Sequence, residues 1–447
     1  MTGRRLLVVC GEPLGARMAG PAIRAVELAR VVAAGGAEVT IAAPAGEGAP
    51  PLGGGVSRVP LSAASLRREL KQVDSVLCGA NLMGRFPVIA RADVPVAVDL
   101  YDPVLLEAAE LYRDAPPAVA GATLAAAAAN LRLEVARADV LFCASERQRE
   151  LWLGALRAAS RLTIEAYRDD PSLGDLCRVM PFGVPEGWAT RAAAPVLRGV
   201  HPGIGPDDVV AIWGGGLHEW FAPELVVEAT AQLAAELPAL RLVFRGSAPP
   251  NRALQPHGAA DRARAAAEAA GILDRNVFLL EGWVPYERRG AYLAEADIGV
   301  SAHRDTAETR YAWRTRLLDY AWARLPVAAT SGDALSERLA AAGAAELAAP
   351  GDVAGFAAAM RALATDAARR QRAVDGAAAV AEELRWPRVA APLVDWVARP
   401  TRTADAVSPL AAGAGQLRMY AAKGWHTLRE EGPAATVRRA GRYRDRA

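Results

Sequence analysis

The sequence predicts an α/β fold made of two parallel-sheet domains, and three observations predict it. Apolar, branched runs alternate with amphipathic helical segments along most of the 447 residues, the pattern of strands joined by crossover helices. The alternation starts twice, at "RRLLVVCGEP" from Arg4 and at "DVVAIWGGG" from Asp208. Between the two starts lies "PVLRGVHPGIGPDD", residues 195–208, rich in Pro and Gly and poor in apolar periodicity.

The first half opens with a strand that runs into a loop holding Gly11, Gly15 and Gly20. A helix follows Pro21, which suits a first helical turn, and a second strand covers Val39 to Ala42. Further strands are expected at 73–79, 94–100, 138–145 and 176–184. The second half repeats the scheme with a strand to Trp213, three glycines, a helix from Pro223 to about Glu236 and a strand from Leu240. It continues with strands at 276–284, 296–302, 325–330 and 344–350. The expected organisation is a first domain over 1–195, a linker over 196–208, a second domain over 209–385, a terminal crossing helix over 386–400 and a tail over 401–447. Open α/β sheets bind ligands at the carboxyl ends of their strands, so two sheets facing each other place the expected site in the cleft between them.

Composition narrows the chemistry. The formal charge is +2, which gives no overall field for nucleic acid. Only Lys71 and Lys423 are lysine, against 50 arginines, in an Ala- and Gly-rich background that fits a GC-rich bacterial coding sequence. A Schiff-base enzyme therefore has almost no lysine to use. Cys10, Cys78, Cys143 and Cys177 are widely spaced and read as buried thiols in a reducing, cytoplasmic setting. The N-terminal apolar run is short and broken by Gly11, Glu12 and Pro13, a first strand rather than a signal peptide. The uncharged stretch from Ala115 to Leu131 is mostly alanine, too weakly apolar to span a bilayer. Residues 401–447 carry 9 Lys+Arg against 4 Asp+Glu. Arg438, Arg439, Arg442, Arg444 and Arg446 in that tail could touch anionic lipid, the alternative being a solvated terminus.

Two stretches concentrate polar groups. In "WGGGLHEWFAPELVVEA" the turn Gly214, Gly215 and Gly216 permits positive φ and a close approach of backbone amides to a ligand, or is a plain tight turn. In "SAHRDTAETRYAWRTRLLDYAWARLPVAAT" Leu317, Leu318, Ala321, Trp322 and Leu325 form an apolar stripe, with Arg316 and Asp319 sharing the other face. Those two are either a surface ion pair or, with Glu308, Arg310 and Arg314, a site for a diphosphate and sugar hydroxyls. His218 and His303 lie beside these loops. In the first half, Asp99 and Asp102 in "VDLYDP" lie at a strand end, where either carboxylate can orient a hydroxyl or cap a turn. No CxxC, HxxxH or Asp-x-Asp spacing offers a metal site.

Six ordered motifs carry a family resemblance: "GARMAGPAIRAVELAR", "PFGVP", "WGGGLHEWFAPELVVEA", "EGWVPYERRGAYLAEADIGVSAH", "RTRLLDYAWARLPVAATSGD" and "LAAPGD". Over roughly residues 4 to 400 the chain resembles retaining, nucleotide-sugar-dependent glycosyltransferases of the GT-B fold, the family-4 group, with two facing Rossmann-like domains. The resemblance implies that the second domain holds a nucleotide diphosphate and the first an acceptor. It implies a donor site of Gly214, Gly215, Gly216, His218, Trp283, Val284, Arg310, Arg314, Arg316 and Asp319, with Glu308 toward the donor sugar. Asp319 replaces the second acid of the family's paired-glutamate motif, and Tyr311 stands where the first would fall. Many relatives carry Arg or Lys in or just after the turn, where this chain has His218, so Arg314 and Arg316 are expected to supply the missing charge. Gly15, Ala19 and Gly20 correspond to the glycine loop near the transferred sugar, and Asp99 and Asp102 are the acceptor-side carboxylates.

The implied reaction moves a sugar from a nucleotide-diphosphate donor to a glycan, lipid-linked or small-molecule acceptor, with retention and without metal or cofactor. The departing phosphate oxygen would take the acceptor proton on the same face of the sugar. A dehydrogenase is disfavoured because neither glycine loop reads G-x-G-x-x-G, and a pyridoxal-dependent phosphorylase because its core lysine is missing. The alternative from another class is a catalytically silent protein of the same fold that serves as a partner subunit, motivated by Tyr311 and Asp319.

Overall fold

The structure, a computed structural model, describes residues 3–48, 52–246, 258–280, 282, 284–403, 421, 423–429 and 432–433. The chain forms two compact units. One comprises Met1–Gly15, Gly20–Pro181 and Ala390–Ala447, the other Ala16–Ala19 and Phe182–Val389.

Among the described residues the first unit holds seven strands: β1 (Arg5–Val9), β2 (Glu38–Ala43), β3 (Val56–Pro60), β4 (Ser75–Gly79), β5 (Val96–Asp99), β6 (Val140–Cys143) and β7 (Cys177–Val179). Their order is β3-β2-β1-β4-β5-β6-β7 and every neighbouring pair is parallel. The order of winding reverses between β1 and β4, which makes their carboxyl ends the switch point of this sheet. The sequence reading missed β3. Its residues VSRVP are largely exposed, and an edge strand that ends in proline lacks the apolar run by which a buried strand is read.

The helix Pro117–Arg137 is long and apolar enough to cross a membrane by length and composition. Its last two turns are nevertheless built into the first unit. Gly84 N–H donates to Asn130 Oδ1 at 2.6 Å and Leu82 N–H to Glu134 Oε1 at 3.1 Å, so the helix clamps the loop that leaves β4. Glu134 Oε2 has no hydrogen-bond partner. Burial raises the Glu134 carboxyl to about 7, against the opposing hydrogen bonds from Asn130 and the loop amides. A carboxyl whose folded pKa exceeds its unfolded one stabilises the protein at low pH and loses that contribution as pH rises. We therefore expect stability to fall between about pH 4.5 and 7 on this account. Glu134→Gln should flatten that fall, read as the thermal midpoint against pH.

The second unit holds β8 (Val209–Gly214), β9 (Leu240–Arg245), β10 (Val277–Leu280), β11 (Ile298–Ser301), β12 (Val327–Thr330) and β13 (Ala345–Ala348). Their order is β10-β9-β8-β11-β12-β13, again parallel throughout. The reversal here falls between β8 and β11. The residues that end these two strands, Gly214 and Ser301, mark this sheet's switch point.

Two boundaries differ from the sequence reading. The division falls after Pro181, and 196–208 is not a free linker but part of the second unit. Glu295 accepts the N–H groups of Val196, Leu197 and Arg198 at 2.8–3.0 Å, while Leu197 and Ile204 are buried with Val210, Val243 and Phe278. Pro and Gly content alone does not reveal such packing, because the anchoring carboxylate lies about a hundred residues away in sequence. The terminal helix over 386–400 is two helices, Trp386–Val389 and Ala391–Ala398. The first belongs to the second unit, where Trp386 packs on Phe182 with centroids 4.9 Å apart. The other belongs to the first unit, where Trp396 meets the edge of Phe142 at 6.5 Å. In the tail, Lys423 donates to the Tyr112 hydroxyl at 3.3 Å. The five tail arginines lie outside the described residues.

Candidate active site

The switch point of the second sheet is organised by two side chains of one helix, Thr315–Trp322. Tyr320 is fully buried, and its hydroxyl lies 2.8 Å from both Ile212 O and Val300 O while accepting Gly214 N–H at 2.9 Å. It pins the end of β8 to β11. Its ring occupies the space above Gly299, where a Cβ would come within 2.5 Å of it. A glycine in the middle of a strand signals such an approach, although the sequence reading did not single out either residue. Burial pushes the Tyr320 phenol up to about 12, so it remains neutral at physiological pH.

Arg316 secures the turn itself. Nε donates to Gly214 O at 2.8 Å, Nη2 to Gly216 O at 2.6 Å and Nη1 to Ser301 Oγ at 3.4 Å. The guanidinium also stacks on Trp213 and Phe221, 4.1 and 4.2 Å from their ring centroids. Burial lowers its pKa to about 10, which still leaves it charged. Held this way, Gly215 adopts φ +112°, a conformation open to glycine, and its N–H donates to Arg245 O at 3.2 Å. The triple glycine is thus a turn fixed by a buried cation. The following segment folds back over the strand ends, Ala222 N–H donating to Ala302 O at 3.0 Å, and leads into the helix Pro223–Leu233, whose first turn no side chain caps.

These contacts revise the two arginines expected to meet a phosphate. Arg316 spends its donors on turn carbonyls and acts as a positioning residue. Arg314 is buried in a two-pronged ion pair with Glu308, at 2.9 and 2.6 Å, and also donates to Thr309 Oγ1. Glu308 is correspondingly enclosed, both oxygens held by Arg314, rather than open toward a sugar. The Arg316–Asp319 ion pair that the spacing allowed as one alternative does not form. Asp319 instead accepts from Arg289 Nε at 2.9 Å and keeps partial exposure, so it remains able to meet hydroxyl groups. Arg289 is itself sandwiched against Tyr286 and Trp322, 3.5 and 4.5 Å from their centroids.

The remaining second-domain candidates are spread around this centre. His218 stacks on Trp220 with centroids 4.7 Å apart. Arg310 is exposed on the short helix Ala307–Tyr311, and Val284 is half-buried beyond β10. Trp283 lies outside the described residues. His303 is buried, its Nε2 3.2 Å from Asp333 Oδ2, and its Nδ1 has no partner. Burial opposes charge on Asp333, but its hydrogen bond to His303, the neighbouring positive charge and the Ser336 amide hold the carboxyl below its usual range. Among the described residues, no group of three potential metal ligands comes together.

In the first unit, Asp99 is not free. Arg24 Nε and Nη2 hold its two oxygens at 2.6 and 3.0 Å, and the same guanidinium donates to Met180 O and Pro181 O. Arg24 sits at buried spacing on the helix Gly20–Ala34, so its pairing with a strand-end acid was the available signal. Asp102 is half-buried beside Tyr101, whose phenol burial and then Asp102 hold above its usual range. Gly20 brings the backbone close to this phenol, a Cβ there lying 3.2 Å from the hydroxyl. Gly15 has a packing role, since a Cβ would meet Glu47 O at 2.5 Å. Ala19 is half-buried between them in sequence.

A parallel sheet with a glycine turn at its switch point, closed by a buried arginine, gives the second unit the architecture of a doubly wound α/β domain. Residues 208–366 match the family model "Glycosyl transferases group 1". No curated protein matches the chain in sequence. Solved structures of GT-B glycosyltransferases match along its length. Sucrose-phosphate synthase from Thermosynechococcus elongatus is 13% identical with a TM-score of 0.59, covering 89% of this chain and 98% of its own. Anabaena HepE in complex with UDP-glucose is 15% identical with a TM-score of 0.59, covering 88% and 99%. WaaG, a glycosyltransferase involved in lipopolysaccharide biosynthesis, is 16% identical with a TM-score of 0.60, covering 88% and 100%. At these identities the structural likeness is one of fold, and the match to the family model covers residues 208–366.

Proposed function

We propose that this protein is a glycosyltransferase that moves a sugar from a nucleotide-diphosphate donor to a glycan, lipid-linked or small-molecule acceptor. The observation that carries the reading is the Gly214–Gly216 turn at the β8/β11 switch point, locked by Arg316 and Tyr320 inside the segment that matches the family model. The Gly214 and Gly215 amides are taken by the Tyr320 hydroxyl and the Arg245 carbonyl, and beyond the turn an uncapped helix N-terminus offers a partial positive end where a diphosphate collects negative charge. Rigidity matters here, because donors fixed before the reaction stabilise charge on the leaving group without reorganising. Asp319, partly exposed and oriented by Arg289, is the acid for the ribose hydroxyls. HepE, crystallised with UDP and with UDP-glucose, supports a nucleotide sugar as the donor class.

Transfer proceeds with retention and needs neither metal nor cofactor in this reading. The protein works in the cytoplasm in this reading. The test is turnover of a panel of nucleotide sugars without added metal, comparing wild type with Asp319→Ala. We expect one donor to be consumed, the variant to lose at least tenfold in kcat/KM, and the product's anomeric configuration, read by NMR, to match the donor. A protein that binds no nucleotide and turns over no donor would instead be a silent subunit of the same fold.

A further inference from the structure

The glycine turn carries no arginine or lysine between Gly214 and Pro223, and Arg314 and Arg316, the two arginines expected to supply the charge, spend donors inside the protein. A diphosphate bound at the turn would need a countercharge from another element. Arg245 ends β9, hydrogen-bonded in register with Gly214, and its carbonyl accepts the Gly215 N–H. Its side chain leaves the sheet on the same face as Val243, the face where Tyr320 and Leu293 pack beside Gly214.

Arg245 is only 6% exposed, and its Nε has no hydrogen-bond partner. The charged groups that act on it are Asp319 and Arg289, with the Tyr320 and Tyr292 phenols. Asp319 is already engaged by Arg289, and Arg316 senses the same carboxylate and the same Arg245 charge. Three guanidinium groups therefore share one carboxylate among the described residues. Burial weakens the proton affinity of Arg245, and Asp319 with the two phenols offsets this only in part. A folded protein gains nothing from such a group unless an anion completes it, and strain of this kind is characteristic of ligand sites.

We infer that Arg245 supplies the missing countercharge at this strand end, holding the diphosphate of a nucleoside diphosphate beside the Gly214–Gly216 turn. The inference rests on the donor-site reading and adds a residue to it. Arg245 offers a planar fork of donors to phosphate oxygens.

The experiment is isothermal titration of the full chain with UDP, GDP and ADP, with each parent nucleoside, and with inorganic pyrophosphate. Wild type is compared with Arg245→Met and Arg245→Lys, and the unliganded thermal midpoint is recorded for each. Arg245→Met should weaken the preferred diphosphate and pyrophosphate at least tenfold, leave the parent nucleoside within twofold, and hold or raise the midpoint. Arg245→Lys, which keeps the charge, should recover part of the lost affinity and guards against a folding defect in the other variant. Diphosphate binding by Arg245→Met equal to wild type would overturn the inference and leave the donor site standing. A midpoint that drops with nucleoside and diphosphate affinity lost together would make Arg245 structural, again overturning it. Wild type that binds none of the diphosphates or pyrophosphate would remove the donor-site reading and this inference with it.

Discussion

Arg316→Ala is expected to cut donor turnover about a hundredfold or more, the scale of losing a fixed stabiliser of leaving-group charge. The residue need not touch the donor to have this effect. Its guanidinium bonds to Gly214 O and Gly216 O define the path of the turn, and without them Gly215 has no reason to keep its φ of +112°. The buried Gly214 carbonyl and the half-buried Gly216 carbonyl would lose this donor, and two aromatic faces their cation. A stability loss of about 2–4 kcal/mol follows from those lost bonds, partly offset by relief of a buried charge. Arg316→Lys should recover little, because one ammonium cannot span two carbonyls in the geometry of the fork. Denaturant unfolding and nucleotide titration on the same samples check both parts. A variant of normal stability and normal donor affinity would refute the positioning role.

Asp99→Ala is expected to destabilise the first domain by about 3–5 kcal/mol, the cost of stranding one member of a buried ion pair. Arg24, only 1% exposed, would lose both carboxylate contacts and retain just the carbonyls of Met180 and Pro181. Those carbonyls lie just beyond β7, so Arg24 and Asp99 together tie the first helix and β5 to the last strand of the sheet. A double change, Arg24→Leu with Asp99→Leu, should recover most of the loss, since apolar residues of similar volume avoid an unpaired charge. The measurement is equilibrium unfolding of the two variants. An Asp99→Ala protein with unchanged stability but abolished transfer would return Asp99 to the acceptor-side chemistry that the sequence suggested.

The legible parts of this protein were those that local pattern controls. Apolar runs gave away β8, β11 and β12, because a strand covered on both faces has few polar positions to disguise it. The turn at Gly214–Gly216 was legible for a similar reason: three consecutive glycines have few uses apart from positive φ and close approach. β3 escaped notice because an exposed edge strand needs no apolar run. Arg245 escaped because a single arginine at the end of an apolar strand looks like a solvated terminus, and only the fold shows that it is buried.

Sequence by itself determined the two-domain parallel architecture, the position of the glycine turn and the motif order of the glycosyltransferase group, since each rests on residues close together in the chain. Tertiary structure alone decided what the charged residues do. Arg316 and Asp319 are three apart on one helix, yet one reaches a turn about a hundred residues earlier and the other an arginine on a different element. Glu295 likewise fixes the amides of 196–198 from about a hundred residues away. A buried charge takes whichever partner the packing brings within hydrogen-bond distance, and that choice depends on contacts between segments that the spacing of residues along the chain does not encode.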